Sequence, residues 1–171
     1  MPAKIPTATE FTQLTPSEKR VAEVLVTGAS NVQGASDLDM STRTFAGHVG
    51  SIGRKFQITS RAGRAARVHA VLASGQVAPP TTPAAVPEFT RAEQRLLRAL
   101  ATHPETHDIA RAAGIPPAEV RPQIKKLVAK SGADNDTHLI GLSHAWGLLG
   151  ANGGEPGSTG VAVNEPVGSE A

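Results

Sequence analysis

The chain has 171 residues, enough for one mid-sized domain or two small ones, and its few aromatic residues (four Phe, one Trp, no Tyr) imply an aliphatic core, which suits small helical bundles. The absence of cysteine excludes a disulfide framework and thiolate metal sites, and the lack of a long apolar run or a signal-peptide pattern predicts a cytoplasmic protein without membrane contact. The net charge of +2 conceals a basic segment, since residues 11–75 carry 8 Lys/Arg and 4 Asp/Glu.

Four helices are predicted in residues 14–75. The first helix begins at a capping box, in which Thr15 is the N-cap and Glu18 lies three residues later. A short second helix begins at Ser30, and a fourth occupies about residues 60–75. The order of these helices predicts a helix-turn-helix pair flanked by two supporting helices.

The third helix, predicted from Ser41 to Phe56, is the candidate binding element. Its apolar residues recur at helical spacing and form one stripe, namely Phe45, Val49, Ile52 and Phe56. No acidic residue lies between Asp39 and Glu88, whereas six basic residues fall in that gap: Arg43, Arg54, Lys55, Arg61, Arg64 and Arg67. A helix with an apolar back, a front of small residues and a basic end can lie against a polyanion. The alternative is an ordinary surface helix of a bundle.

The pattern is predicted to restart after a Pro-rich linker at residues 76–88. FTRAEQRLLRAL echoes LTPSEKRVAEVL, and one gapless offset of 75 residues aligns later positions as well: Ala110 with Ala35, Lys130 with Lys55, His144 with His69 and Gly150 with Gly75. We interpret this as an internal duplication, in which residues 89–150 form a second four-helix domain. The leader at residues 1–13 is expected to be flexible, and the Gly- and Pro-rich tail at residues 151–171 is expected to be disordered.

The first half resembles the C-terminal DNA-binding domain of LuxR/GerE-type regulators. The resemblance rests on Leu14, Thr15, Glu18, Gly28, Ser30, Asn31, Ala35, Leu38, Ser41, Thr44, His48, Val49, Ile52, Arg54, Lys55, Ser60 and Arg61. The second half resembles the same family more weakly, through Thr90, Glu93, Ile109, Ala110, Val120, Leu127, Lys130, Gly132, Leu139 and Ile140. The resemblance implies an all-α fold of two tandem helix-turn-helix domains, each placing its third helix in a DNA major groove. Dimer contacts in this family are often made by the fourth helix.

The first half departs from the family pattern at small residues. Ala46, Gly47 and Gly50 stand where the family presents basic or polar side chains, so the third helix lacks bidentate base contacts. The glycine row that continues to Gly53 suits a close approach of backbone to DNA or to a partner helix, or else a helix that no longer reads bases. Gly34 replaces a large aliphatic residue, which predicts a core short of volume beneath the second helix.

The second half departs from the family in the opposite sense. Its third helix, predicted at Pro117–Ser131, presents Arg121 and Lys125 where the family contacts the groove. Pro122 lies inside this helix and is expected to kink or shift its start. Acidic residues stand where the family keeps a base near the phosphates, namely Asp134 and Asp136.

These patterns predict a bacterial DNA-binding transcription regulator that is not an enzyme and uses no cofactor or metal, because no recognisable catalytic or phosphate-loop motif is present. The expected partner is double-stranded DNA, bound by a homodimer or by the two halves packed as an intramolecular pseudo-dimer, with nucleoid-associated localisation. The predicted DNA-binding residues are Ser41, Arg43, Thr44, His48, Ser51, Arg54, Lys55, Arg61, Arg121, Lys125, Lys126 and Lys130. The alternative is a protein-interaction module on a degenerate helix-turn-helix scaffold that binds another regulator or a sigma factor.

Overall fold

The structure of the chain is a computed structural model that describes residues 13–58, 63–82 and 85–149. Over these residues it contains eight helices and no strand: α1 (Pro16–Leu25), α2 (Asn31–Asp37), α3 (Thr42–Lys55), α4 (Arg64–Ala73), α5 (Arg91–Thr102), α6 (Thr106–Ala113), α7 (Pro117–Ser131) and α8 (Asp136–Ala145). The predicted all-α class is therefore confirmed for this part of the chain. Most of the predicted leader and the whole predicted tail lie outside the described residues. None of the eight helices combines the length and apolarity needed to cross a bilayer.

The first helix of each half begins with the same side-chain cap. At α1 the Glu18 backbone N donates to Thr15 Oγ1 at 3.2 Å, and at α5 the Glu93 backbone N donates to Thr90 Oγ1 at 3.1 Å. In both boxes the glutamate accepts a hydrogen bond back from the N-cap backbone. The capping box predicted at Thr15 is thus confirmed, because a local interaction of this kind depends only on residues three apart.

The third helix of each half packs against two other helices of the same half. In the first half α3 contacts α1 and α2, and in the second half α7 contacts α6 and α8. Helix α4 packs against α8 and α5, which joins the two halves. The buried apolar side chains of both halves consequently form one continuous cluster, which includes Val77 from the predicted linker. The division of the chain into two tandem domains, at residues 14–75 and 89–150, stays a prediction.

The space beside Gly34 is filled by an aromatic ring. A Cβ atom built on this glycine would overlap the ring of Phe45, which is fully buried in α3. The expected shortage of core volume beneath α2 is therefore wrong, because the large side chain is supplied by the facing helix. In the second half the aligned positions hold Ile109 and Val120, both buried, so the larger residue lies on the other helix of the pair.

A pair of histidines marks the junction of α4 with α8. Nδ1 of His69 lies 2.8 Å from Nε2 of His144, and the ring centroids are 5.0 Å apart. These two residues are separated by 75 positions, the offset of the sequence duplication. A second hydrogen bond links the two halves, because Nδ2 of Asn135, the N-cap of α8, donates to the Gly28 carbonyl at 2.8 Å. Helix α8 also approaches the end of α1 closely at Gly141, where an added Cβ would meet the Val26 carbonyl.

Acid should weaken this junction. Burial lowers the pKa of His69 and His144, and the neighbouring His69 lowers the pKa of His144 further, to about 4. The unfolded chain, in which a histidine keeps a pKa of 6.5, takes up the proton first as the pH falls. The free energy of unfolding should therefore be constant above pH 6.5 and fall by about 2 kcal/mol between pH 6.5 and 4.

Urea titrations across this pH range check the expectation, with the fluorescence of Trp146, the sole tryptophan, as the signal. The matched variant His144→Gln keeps a hydrogen-bonding side chain but does not titrate, so its stability should vary much less over the same range. Equal pH dependence in the wild type and this variant would count against the junction as the source.

Candidate nucleic-acid interface

Helix α3 buries one face and exposes the other. Its N-cap is Ser41, whose Oγ accepts a hydrogen bond from the Thr44 backbone N at 3.0 Å and lies 2.8 Å from the Thr44 hydroxyl. Phe45, Val49 and Ile52 are buried on the side that meets α1 and α2. Three of the four predicted stripe residues are thus confirmed as buried, whereas Phe56 is the C-cap and only partly buried. The two capping hydroxyls remain at the exposed start of the helix.

The outer face of α3 has small residues in its middle and a cation near each end. Arg43 and Arg54 are exposed, and the Arg54 guanidinium donates to Ser51 Oγ at 2.9 Å. Between them Gly47 is exposed without a side chain, and His48 is half-buried beside it. A surface of this shape can approach a phosphate backbone closely, but it has no long side chain in its middle to reach a base edge.

Two lysines predicted to contact DNA are ion-paired within their own halves. Lys55 Nζ lies 2.7 Å from Glu18 Oε2 and also donates to the Gln13 carbonyl at 2.9 Å. Lys130 Nζ lies 2.8 Å from Glu93 Oε2, and this hydrogen bond is the main cause that lowers the pKa of the Glu93 carboxyl. The pairs tie α3 to α1 and α7 to α5, so they act as helix clamps.

Two arginines of the acid-free segment turn inward. Arg64 donates to Asn31 Oδ1 at 2.8 Å and to the Ala29 carbonyl at 2.6 Å. Arg67 donates through Nε and a terminal nitrogen to the Ile58 carbonyl, at 3.3 and 3.2 Å. Burial lowers the pKa of both guanidinium groups. The net charge of this segment therefore overstates the charge that reaches the surface. The predicted DNA contact Arg61 lies outside the described residues.

The three glycines of α3 have different surroundings. A Cβ on Gly53 would overlap Arg67 Nε and sit against the Ile58 carbonyl, so this glycine is required by the arginine that turns inward. A Cβ on Gly50 would meet only the Arg54 side chain at 3.5 Å, and one on Gly47 would meet nothing within 4 Å. Internal packing thus explains one member of the row and leaves Gly47 and Gly50 to be explained by function or by neutral drift.

Alanine substitutions separate these explanations. Gly47→Ala should stabilise the chain by about 1 kcal/mol, because alanine is the better helix former and the site is open. Gly53→Ala should instead destabilise it by about 1–3 kcal/mol, because Arg67 must move. Thermal unfolding measures both changes. If the α3 backbone approaches DNA at Gly47, the stabilised Gly47→Ala variant should bind DNA more weakly than the wild type; unchanged DNA affinity would leave no role for this glycine in binding.

Helix α7 carries the longer cationic side chains. Arg121, Lys125 and Lys126 are exposed, and the Arg121 side chain keeps 66% of its surface accessible. Within the described ranges no ion pair holds Lys125 or Lys126, whereas Arg121 NH1 lies 3.6 Å from Asp136 Oδ2. Unlike α3, this helix therefore presents side chains long enough to enter a groove and reach base edges.

Helix α7 starts where the sequence predicts, so Pro122 does not shift its start, and the alternative expectation of a kink stays a prediction. The helix occupies Pro117–Ser131, the range read from the sequence, and Pro122 lies within it. Pro122 is the sixth residue of the helix and lies beyond the N–H groups that lack an intrahelical partner, so the proline removes a donor that would otherwise bond to the Ala118 carbonyl.

A groove of about 730 Å³ runs between α7 and the start of α8. The α7 side supplies two cations, Arg121 and Lys125, and the α8 side supplies two carboxylates, Asp134 and Asp136, with apolar lining that includes Ile124. At the aligned positions the first half has three uncharged residues, Ala46, Gly50 and Thr59, and one residue of opposite charge, Arg61, aligned with Asp136. Sequence reasoning noted each of these residues but did not bring Asp136 to Arg121, because that contact depends on how α8 packs on α7.

Comparison with known protein families gave a match to the first part of the chain. The model of the family described as bacterial regulatory proteins, luxR family, matches residues 12–68. No curated protein and no solved structure matched the chain. The matched segment contains α1, α2, α3 and the start of α4. Residues 12–68 are therefore similar to one luxR-type regulatory domain, and they include the exposed face of α3.

Proposed function

We propose that the chain is a DNA-binding transcription regulator that presents two helices, α3 and α7, from one packed unit. The observation that carries the proposal is that both helices bury an apolar back and expose cations on the outer face, with Arg43 and Arg54 on α3 and Lys125 and Lys126 on α7. The luxR-family match to residues 12–68 supports the same conclusion for the first half. Because such a regulator acts on chromosomal DNA, we place it in the cytoplasm at the nucleoid.

The two helices have different tasks in this proposal. Helix α3 contacts phosphates through Ser41, Thr44, His48, Ser51 and its two exposed arginines, because the small residues of its outer face allow a close approach. Helix α7 enters the groove with Arg121 and Lys125, while Lys126 contacts a phosphate. Lys55 and Lys130 keep the helices in place instead, since each is committed to a glutamate.

The junction of α4 with α8 takes the place of a dimer interface. The paired His69 and His144 lie there at aligned positions of the two halves. The contact favours an intramolecular pseudo-dimer over a homodimer, since one chain already brings two such helices together. The two helices would then address half-sites about one helical turn apart, roughly 10 base pairs.

Charge reversal on the full chain tests the proposal. Fluorescence anisotropy with a random-sequence duplex should show binding that weakens steeply with salt, because most of the contacts are to phosphates. Arg43→Glu/Arg54→Glu and Lys125→Glu/Lys126→Glu should each weaken binding by about 100-fold or more at low salt. The matched control Arg20→Glu/Arg91→Glu changes the net charge equally at exposed positions on α1 and α5. Equal losses of DNA affinity in all three variants would show that the affinity depends only on net charge, and this would contradict the proposal.

One observation favours a second candidate, a protein-interaction module that binds another regulator or a sigma factor. The groove beside α7 carries charges of both signs, and its carboxylates at Asp134 and Asp136 would repel a phosphate backbone. Under this alternative the charge reversals on α3 would leave capture of the protein partner intact, whereas under the first proposal they abolish DNA retention.

A further inference from the structure

We propose that Asp136 determines the DNA sequence specificity of this chain, because its carboxylate orients the Arg121 guanidinium toward a base edge and away from the phosphates. This inference rests on the proposed DNA-binding function. Its geometric basis is the position of the Asp136 carboxylate, 3.6 Å from the Arg121 guanidinium across the groove between α8 and α7.

Asp136 is a well-placed anion. It is the first residue of α8, where the positive end of the helix dipole favours a carboxylate, and only 30% of its side chain is exposed. Its Oδ1 also accepts a hydrogen bond from the Thr137 hydroxyl at 3.4 Å. Asp136 also interacts with Arg64 at the start of α4. Burial and the neighbouring Arg67 lower the pKa of Arg64, whereas the Asp136 carboxylate raises it. The Asp136 carboxylate therefore interacts electrostatically with the half-buried Arg64 as well as with the exposed Arg121.

Arg121 is the exposed partner of this pair, because two thirds of its side chain is accessible and no described residue other than Asp136 forms an ion pair with it. An arginine with a free guanidinium binds any phosphate, which adds affinity but no sequence information. An arginine whose guanidinium is oriented by a carboxylate keeps N–H donors for the O6 and N7 atoms of guanine. The carboxylate also repels a phosphate that approaches the same place, so it selects against the non-specific contact.

The first half provides the contrast that supports this assignment. The residue aligned with Arg121 is Ala46, and the residue aligned with Asp136 is Arg61. The base-reading cation and its orienting anion are thus both present in one half and both missing from the other. Their joint occurrence is what a functional pair predicts, whereas an isolated surface ion pair contributes little to stability.

The experiment begins with selection of the preferred duplex from a randomised pool by the full-length wild-type chain. Dissociation constants are then measured for this duplex and for the same duplex with its preferred guanine replaced by adenine. The wild type should discriminate between the two by about tenfold, and Asp136→Asn by less than about twofold. On random-sequence DNA the variant should bind more tightly, with a slope of log K against log salt steeper by about one, because Arg121 joins the phosphate contacts.

Asp134→Asn is the matched control. It removes the same charge from the same groove, but this carboxylate is 81% exposed and lies 3.5 Å from His138 Nδ1 rather than beside Arg121. It should keep the wild-type discrimination. In an Arg121→Ala background, Asp136→Asn should no longer change discrimination. Arg121→Lys keeps the charge and loses the planar fork, and it should lose discrimination even if the Asp136 variant fails to fold.

The outcomes are distinguishable. If the chain binds DNA but Asp136→Asn or Arg121→Lys discriminates as well as the wild type, the role of Asp136 is overturned and the proposed function stands. If neither the wild type nor any variant retains a duplex, both the function and this inference are overturned.

Discussion

Replacing Gly34 by isoleucine should destabilise the chain by about 3 kcal/mol or more, because the added side chain overlaps the buried ring of Phe45. Phe45→Val alone should cost about 2–3 kcal/mol through the cavity that it leaves. The double variant Gly34→Ile/Phe45→Val should recover most of the loss, since it copies the pair of residues found at Ile109 and Val120. The two substitutions should therefore show a coupling energy of about 3 kcal/mol or more.

Urea denaturation measures all three variants. Gly47→Ile is the matched control, because it places the same side chain on a helical glycine with nothing within 4 Å of its Cβ, and it should leave stability nearly unchanged. If the double variant is less stable than both single variants, a large residue on α2 cannot replace the ring of Phe45 on α3. The pair Gly34 and Phe45 would then not be structurally equivalent to the pair Ile109 and Val120.

The ion pair between Lys55 and Glu18 should be more sensitive to mutation than its counterpart between Lys130 and Glu93. Lys55→Met leaves the Glu18 carboxylate, whose side chain is 8% exposed, without its cation, and we expect a loss of about 3 kcal/mol. The aligned change Lys130→Met uncovers Glu93, whose side chain is 30% exposed, and should cost about 1 kcal/mol or less. The same chemical pair thus gives two different losses because the two carboxylates differ in burial.

Chemical denaturation of both variants provides the measurement. Adding Glu18→Gln to Lys55→Met should restore part of the stability, since the buried charge is then removed together with its partner. Equal losses for Lys55→Met and Lys130→Met would show that burial does not set the strength of these clamps. The expected size of the loss also means that reversing Lys55 is a poor test of DNA binding, since it would unfold α3 from α1.

Local features of this fold follow from the sequence. The capping box at Thr15 and the buried stripe of Phe45, Val49 and Ile52 in α3 depend on residues three or four apart, and both are present as expected. Long-range features do not follow in this way. The ring of Phe45 fills the space at Gly34 from a different helix, and this compensation could not be read from either position alone.

The candidate site could be predicted in outline but not in its electrostatics. Sequence composition gave six basic residues in one acid-free segment, but only the fold shows that Arg64 and Arg67 turn inward and that Lys55 is held by Glu18. These assignments depend on carbonyls and carboxylates of other helices, which no local pattern reports. The contact of His69 with His144 is only partly predictable from the sequence. The duplication aligns the two residues, but only the packing of α4 on α8 shows that they meet.

In the proposed complex one chain places two basic helices on DNA at the same time. A hydroxyl-radical footprint of the full-length chain on its selected duplex tests this arrangement. We expect two protected patches on one face of the duplex, about 10 base pairs apart, of which Arg43→Glu/Arg54→Glu weakens one and Lys125→Glu/Lys126→Glu the other. A single protected patch that responds to only one of these variants would contradict it.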